Sequence, residues 1–276
     1  MSRLDYFMDT NRRARPVNFA PFSRSPVDII VPFHAQYERV SELIRSIILS
    51  VKSNPYQITL VDDCSENTNF GEEVKREFLK GTPEGFKPQL QYIRNEKQLG
   101  FGGSLRVGFE ATEQPWVLFM HSDCVVEDPN FMINMGHSLL RWKSEGKPVK
   151  MVSARSDNPG ECEALKAGRL DKGDEDIILE NETLPLFCAM CNRELFRHIG
   201  GFIKEYPYAW YEDEELAHRM RARGLLQGVS TKAWVRHRGG LTVNYLWELR
   251  PETRAVMEGN RQRCIEDIRR TSRPCS

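Results

Sequence analysis

Short apolar runs rich in β-branched residues alternate with segments of helical periodicity, and this alternation constrains the fold more than any other feature of the chain. The first run ends beside a proline, as a buried strand does where it gives way to a loop. The predicted strands are 27–33, 58–61, 90–93 and 116–120, and the predicted helices are 40–51, 70–79 and 103–111. Because strands and helices interleave, we expect right-handed crossovers and an α/β fold with a mainly parallel sheet flanked by helices.

The second half of the chain is less regular and gives a coarser prediction. Residues 157–182 are polar and acidic, and we expect them to include a mobile loop that could act as a lid. Further core residues are expected at 184–190, with helices at 192–198, from Glu212 and between Tyr245 and Ile268. The predicted organisation is an N-terminal arm (1–26), a single main domain (27–242) and a C-terminal helix with a tail (243–276).

The composition argues against several classes of protein. Lys plus Arg and Asp plus Glu number 39 each, so no overall field attracts nucleic acid or an anionic membrane. No apolar run reaches the roughly 18 residues that a membrane span needs. Seven cysteines without a secretory signal peptide indicate a reduced, cytoplasmic protein. The spacing of Cys188 and Cys191 is a weak zinc signal, and core packing explains it better.

Polar clusters follow three of the predicted strands. They are Pro32-Phe33-His34, Asp62-Asp63 and His121-Ser122-Asp123. In parallel sheets ligands bind beyond the carboxyl ends of the strands, so we expect these clusters to converge on one cleft. Asp123 could hold a hard divalent cation there, or it could serve as a turn or helix-capping residue. Asp62 and Asp63 could accept hydrogen bonds from a ribose or a base, or could simply form a turning loop.

A glycine-rich segment, QLGFGGSLRVGFE, places Gly100, Gly102 and Gly103 where a loop enters a helix, with Arg106 one turn further. Glycines allow close backbone approach, and an arginine can meet a phosphate. The spacing does not fit the dinucleotide or phosphate-loop fingerprints, so a tight turn with a surface arginine is the alternative.

Two further motifs could carry chemistry. In YEDEELAHRMRARG, Glu212 and Asp213 stand among four acids that open a helix; one of the two could take a proton from an attacking hydroxyl, although the helix dipole alone explains acids at this position. His237 in VRHRGG follows another apolar run, so its imidazole could complete a metal site or be structural.

Taken in order, these segments resemble the family 2 glycosyltransferases, which have the GT-A fold, over roughly residues 27–242. The resemblance implies that the segments around the first two strands and the glycine-rich segment surround a nucleotide sugar. The residues implied to contact it are Pro32, Phe33, Glu38, Asp62, Asp63, Gly100, Gly103, Arg106, His121 and Ser122.

The same resemblance implies a metal and a catalytic base. The Asp-x-Asp motif of the family matches His121-Ser122-Asp123, so Asp123 inherits the metal role while His121 replaces the first aspartate. His237 is implied to help ligate the metal, which would be Mn²⁺ or Mg²⁺. Asp213 matches the base, with Glu212 beside it.

The implied reaction is an inverting transfer of a sugar from a nucleoside-diphosphate sugar, UDP-linked by family frequency, to a hydroxyl of a glycan, glycoconjugate or protein. Two alternatives remain open at this stage. The substitution at His121 also fits a nucleotide- or sugar-binding module without turnover. A nucleotidyltransferase would use a similar sheet and metal, although the segment VPFHAQYE has no basic phosphate loop.

Overall fold

A computed structural model describes residues 22, 25–51, 55–81, 89–158, 160, 162, 175–202 and 206–271. The strands are β1 Val27–Phe33, β2 Tyr56–Asp62, β3 Gln89–Arg94, β4 Trp116–Met120, β5 Cys124–Val125, β6 Val149–Arg155, β7 Ile177–Leu179, β8 Cys188–Asn192, β9 Leu226–Trp234 and β10 Arg236–His237. The helices are α1 Tyr37–Ser50, α2 Phe70–Gly81, α3 Gly100–Glu110, α4 Phe131–Ser144, α5 Arg193–His198, α6 Glu212–Arg221, α7 Leu241–Leu249 and α8 Thr253–Thr271.

Strand β1 lies inside an eight-stranded sheet of the described residues, in the order β3-β2-β1-β4-β8-β6-β9-β7. It pairs in parallel with β2 and β4, and all seven of its residues are buried. Helix α3 packs closely on this part of the sheet, because a Cβ on Gly108 would lie only 2.4 Å from Ile30 Cγ2. Since β1, β2 and β4 run in the same direction, their carboxyl ends meet at one edge of the sheet.

The α/β prediction with a mainly parallel sheet is confirmed. Four strand pairs of the large sheet are parallel and three are antiparallel. The antiparallel pairs arise after β4, where the regular alternation of strands and helices in the sequence ends. Strand β8 lies between β4 and β6 and runs antiparallel to both. Cys188 and Cys191 are fully buried on it, in agreement with core packing.

Two predicted segments differ from the structure. The polar stretch 157–182 contains the short strand β7, which pairs with β9 at the edge of the sheet, and much of the predicted loop lies outside the described residues. The single helix predicted between Tyr245 and Ile268 is two helices, α7 and α8, separated at Pro251. Proline has no backbone N–H and disfavours a helical residue before it, so the helix breaks there.

The C-terminal helices pack against the rest of the fold instead of extending from it. Helix α8 contacts α6, and the fully buried Asn260 donates hydrogen bonds to the carbonyls of Pro207 and Ala209 at 3.0 and 2.8 Å. Residues 206–211 are therefore held by α8. The arm at 1–26 lies almost entirely outside the described residues, and the two proposed domain boundaries stay predictions. No helix among the described residues has the length and apolarity needed to cross a membrane.

Candidate active site

A cavity of about 760 Å³ opens at the edge of the sheet where β1, β2 and β4 end. The three polar clusters predicted to converge do contribute to its wall. The predicted site residues that line it are Pro32, Phe33, Asp63, Gly100, His121, Ser122, Asp123, Glu212 and Asp213. The structure thus brings together residues separated by up to 181 positions in the chain, Pro32 and Asp213.

His121, Asp123 and His237 form a compact group beside this cavity. Strand β5 pairs with β10 so that Cys124 lies opposite His237, which places the histidine next to the end of β4. His121 Nδ1 lies 3.1 Å from His237 Nε2, and Asp123 Oδ1 lies 3.3 Å from that same Nε2. The distance from His121 Nδ1 to Asp123 Oδ1 is 3.9 Å.

The orientation of His237 is fixed by its neighbours. Its Nδ1 lies 2.8 Å from the carbonyl oxygen of Asn158, which can only accept, so Nδ1 donates to it. The ring stacks on Phe187 with centroids 4.8 Å apart, and the backbone N–H donates to Asp157. The other ring nitrogen, Nε2, therefore faces Asp123 and His121.

The ionisation of the group suits metal binding. Burial, together with the neighbouring His237, lowers the pKa of His121 to about 3. Burial acts to raise the pKa of Asp123, but the hydrogen bond from His237 and the two imidazoles outweigh it, so this pKa is lowered. Neutral imidazole and ionised carboxylate are the forms that ligate metals. Neighbouring ligand atoms around a divalent ion with bonds of ~2.1 Å lie about 3.0–3.5 Å apart, which the observed spacing approaches.

The acids at the start of α6 form a second cluster on the cavity wall. Burial and the neighbouring acids raise the pKa of Asp213 well above its ordinary value, and burial raises that of Glu212 to about 7. Asp213 Oδ1 accepts a hydrogen bond from the N–H of Glu214 at 3.0 Å. The Oε2 atoms of Glu212 and Glu214 have no hydrogen-bond partner among the described residues. Carboxylates with a raised pKa, as at Glu212 and Asp213, can accept a proton near neutral pH.

The two aspartates after β2 differ in what they contact. Asp63 accepts hydrogen bonds from the N–H groups of Leu99 and Gly100, at 2.7 and 2.9 Å, and lies on the cavity wall. Asp62 is fully buried and is not part of that wall. Its carboxylate accepts hydrogen bonds from Tyr92 Oη, Arg94 and the N–H of Ser65, at 2.5, 2.8 and 2.8 Å. Its immediate role is to organise the strand end.

Three other predicted nucleotide contacts lie away from the cavity wall. Glu38 is exposed in the first turn of α1, while Gly103 and Arg106 belong to α3. None of these three described residues lines the cavity. Their contacts with a nucleotide stay predictions.

The sequence analysis missed residues that position the predicted ones. Asn158 and Phe187 hold the ring of His237, and Asp157 binds its backbone. Asp157 and Asn158 come directly after β6, so the rule that found the other polar clusters would also have found this pair if β6 had been recognised.

Gly100 allows the glycine-rich segment to approach the aromatic segment 206–211. Its φ is +79°, and a Cβ there would lie 2.7 Å from the carbonyl oxygen of Tyr206 and 2.8 Å from the backbone nitrogen of Tyr208. The N–H of Phe101 donates to the carbonyl of Tyr208 at 2.8 Å. The two segments thus share one wall of the cavity.

We expect Gly100→Ala to displace this wall and to weaken both stability and substrate binding. The matched control is Gly146→Ala, because Gly146 has a similar φ of +71° but nothing within 4 Å of its added Cβ. Backbone strain alone should cost the control about 1–2 kcal/mol of unfolding free energy. Denaturant melts should show a larger loss for Gly100→Ala, and donor titrations should show weaker binding in that variant only. Equal losses in both, with unchanged binding, would contradict the close-approach argument.

Comparison with known proteins shows what part of the chain is similar to a described family. Residues 28–131 match the model of glycosyl transferase family 2. This family 2-like segment covers less than half of the chain. An uncharacterized glycosyltransferase from Haemophilus influenzae is 25% identical over 184 residues, covering 63% of this chain and 55% of that protein. This chain thus spans little more than half the length of this relative.

Solved structures agree on the GT-A fold. A mannosyltransferase from Pyrobaculum calidifontis, in complex with GDP-Man and Mn²⁺, superimposes with a TM-score of 0.56 and 14% identity, covering 86% of this chain and 64% of its own. TarS 1–349 from S. aureus, in complex with UDP-GlcNAc, gives a TM-score of 0.55 and 16% identity, covering 79% and 60% of the two chains. The fold predicted from the sequence is confirmed.

Proposed function

We propose that this chain transfers a sugar from a nucleoside-diphosphate sugar, UDP-linked in the first instance, to an acceptor hydroxyl with inversion at the anomeric carbon. The observation that carries the proposal is that a potential metal group and a cluster of carboxylates with raised pKa values border the same cavity. The family 2 segment supports it. Two structural neighbours bind GDP-Man and UDP-GlcNAc, which supports a nucleotide-sugar donor.

On the donor side, Asp123 and His237 would hold Mn²⁺ or Mg²⁺. When bound, the metal supplies Lewis-acid stabilisation of the charge that develops on the leaving diphosphate. Phe33 and His34 line the cavity at the end of β1, and His34 Nδ1 is held 2.9 Å from the carbonyl oxygen of Asp63. These two rings, together with Gly100, offer the nucleoside a surface beside the diphosphate.

On the acceptor side, Asp213 would take the proton of the attacking hydroxyl. The acceptor oxygen forms a bond to the anomeric carbon as the bond from that carbon to the diphosphate oxygen breaks, so the configuration inverts. The proton passes to Asp213, and the electron pair of the broken bond leaves with the nucleoside diphosphate. Glu212, with its pKa raised to about 7, lies beside the base and would help to orient the hydroxyl.

The test is to incubate the protein with Mn²⁺ and a panel of nucleotide sugars and acceptors, and to measure release of nucleoside diphosphate. We expect release with one donor class, increased by a hydroxyl acceptor. Nucleotide binding without release across the panel would indicate a binding module instead. Pyrophosphate formation from a nucleoside triphosphate would indicate a nucleotidyltransferase.

Aromatic side chains at the cavity suggest how a sugar acceptor would be held. Trp210 lines the cavity with 37% of its surface exposed, and its ring meets that of Trp247 edge-to-face at 5.5 Å. The guanidinium of Arg254 lies over the ring of Trp247, 5.2 Å from its centroid. Exposed aromatic faces of this kind stack on the apolar faces of sugars.

We expect Trp210→Ala to raise the KM for a glycan acceptor about tenfold, the equivalent of losing one aromatic contact of ~1.4 kcal/mol. The KM for the donor, measured from its slow hydrolysis without acceptor, should stay unchanged. Leu49→Ala is the matched control, since Leu49 is 64% exposed on α1 and does not line the cavity. An unchanged acceptor KM in Trp210→Ala would remove this residue from the acceptor site.

A further inference from the structure

His121 stands where the Asp-x-Asp motif of the family has its first aspartate, and this difference changes the chemical character of the metal group. Its three ligand atoms are two imidazole nitrogens and one carboxylate oxygen, and all lie within 4.8 Å of one another. Magnesium prefers oxygen ligands and keeps several waters, whereas imidazole suits borderline transition metals. A site with two imidazoles therefore favours a different set of cations from a site made of two carboxylates.

The position of His121 also fits a ligand. Its Nδ1 lies 3.1 Å from His237 Nε2, while the other ring nitrogen of His237 is held by the carbonyl of Asn158. Two imidazole nitrogens lie this close when a proton or a cation is shared between them. The ring edge of His121 is packed against Phe101 at 4.6 Å, so the imidazole is held in place beside Asp123.

One side of the group is closed by protein and the other is open. The side chains of Asp123 and His237 are 9% and 10% exposed, while that of His121 is 32% exposed. His121 and Asp123 line the cavity, so the open coordination positions face the space where a diphosphate would lie. Three protein ligands on one side and free positions on the other is the arrangement of a catalytic metal site.

We propose that His121 is a metal ligand and that, with Asp123 and His237, it makes a site selective for first-row transition-metal cations over Mg²⁺. Mn²⁺ and Co²⁺ represent the favoured class. The inference rests on the proposed function only for the role of the metal; the binding itself requires neither donor nor turnover. His121 thus acts on the metal, beyond the nucleotide contact that the family resemblance implies for it.

The test titrates metal-free protein with MnCl₂, CoCl₂ or MgCl₂ in the absence of any nucleotide. Free Mn²⁺ is followed by electron paramagnetic resonance, the Co²⁺ site by its visible absorption, and Mg²⁺ by competition against Mn²⁺. We expect Mn²⁺ and Co²⁺ to bind at least about tenfold more tightly than Mg²⁺. Mg²⁺ that competes on equal terms with Mn²⁺ would overturn the proposal.

Two variants of His121 identify the ligand. His121→Ala should weaken Co²⁺ binding about tenfold or more and alter the Co²⁺ spectrum, and His121→Asp should narrow the preference for Mn²⁺ over Mg²⁺. His198→Ala, at an exposed position on α5, should leave both unchanged. Thermal melts confirm that the variants are folded, and His121→Asp keeps the test valid if the alanine variant is not. An unchanged spectrum in both variants would overturn the proposal. Release of nucleoside diphosphate, measured separately, would still test the transferase.

Discussion

Asp213→Asn is expected to lower kcat by about 10²–10⁴-fold, the usual contribution of a general base. The amide is close in size to the carboxylate but cannot take the proton of the acceptor hydroxyl. Asp213 lies at the start of α6 and does not belong to the group of His121, Asp123 and His237, so nucleoside diphosphate binding should persist. Product release and nucleotide affinity, measured on the same preparation, check both expectations.

The thermal stability of Asp213→Asn shows whether its loss of activity comes from lost catalysis or from unfolding. Because the pKa of Asp213 is raised, the native state binds its proton more tightly than the unfolded chain does. Stability from this group is present at low pH and is lost as pH rises through the raised pKa. At neutral pH, Asp213→Asn should therefore melt at the same temperature as the wild type or higher. A lower melting temperature, or activity within about threefold of the wild type, would contradict the assignment of the base.

The pH profile gives a second check on the same residue. A base with a raised pKa is protonated and inactive at low pH, so kcat/KM should rise with pH through a value well above that of an ordinary aspartate. Glu212, with its pKa near 7, is a close neighbour, so the rise of kcat/KM with pH reports the titration of both acids together. In Asp213→Asn, the residual activity should lack the part of this rise that is due to Asp213.

Arg193→Met is expected to cost about 3–5 kcal/mol of unfolding free energy, the usual cost of breaking a buried ion pair. The guanidinium is 2% exposed and donates to Asp28 at 2.8 Å. It also donates to the carbonyls of Gln114 and Phe109 and to the hydroxyl of Thr112, at 2.6, 2.8 and 2.7 Å. Methionine fills much of the volume but leaves the carboxylate of Asp28 buried without its cation.

Denaturant melts measure this loss, and the chain offers matched controls. Arg197 lies one turn further along α5 and pairs with Glu194 in an exposed position, so Arg197→Met should cost less than about 1 kcal/mol. Adding Asp28→Asn to Arg193→Met should recover part of the loss, because the stranded charge is removed. A loss below about 1 kcal/mol for Arg193→Met would show that this network does not support the fold.

Much of the first half of the fold could be predicted from the sequence. Its apolar residues recur with the spacing of strands or helices, and these are the residues that the fold buries. Strands such as 116–120 and, apart from Asp28, 27–33 are apolar because strands covered on both faces are buried along their length. The break between α7 and α8 carried a local signal, Pro251, that the helical spacing concealed. Strand β8 gave no such signal, because an antiparallel insertion between β4 and β6 depends on contacts far apart in the chain.

In the candidate site, the sequence could predict only the side chains that directly follow a strand, because the carboxyl ends of parallel strands meet at one edge of the sheet. That rule brought Asp63 and Asp123 to one cavity. It could not show that Tyr92 and Arg94 donate hydrogen bonds to the carboxylate of Asp62, since those partners come from the neighbouring strand β3. The approach of His237 to Asp123 depends on the pairing of β5 with β10, two strands of two residues each that have no periodicity to detect.

Calorimetric titration of a nucleoside diphosphate with and without Mn²⁺ tests most directly whether the two sides of the cavity have separate roles in one reaction. In the wild type, Mn²⁺ should strengthen binding. Asp123→Asn should lose that strengthening, and Asp213→Asn should keep it while turnover is lost. If Asp123→Asn responds to Mn²⁺ as the wild type does, or if Asp213→Asn no longer binds the nucleotide, the assignment of donor and acceptor sides is contradicted.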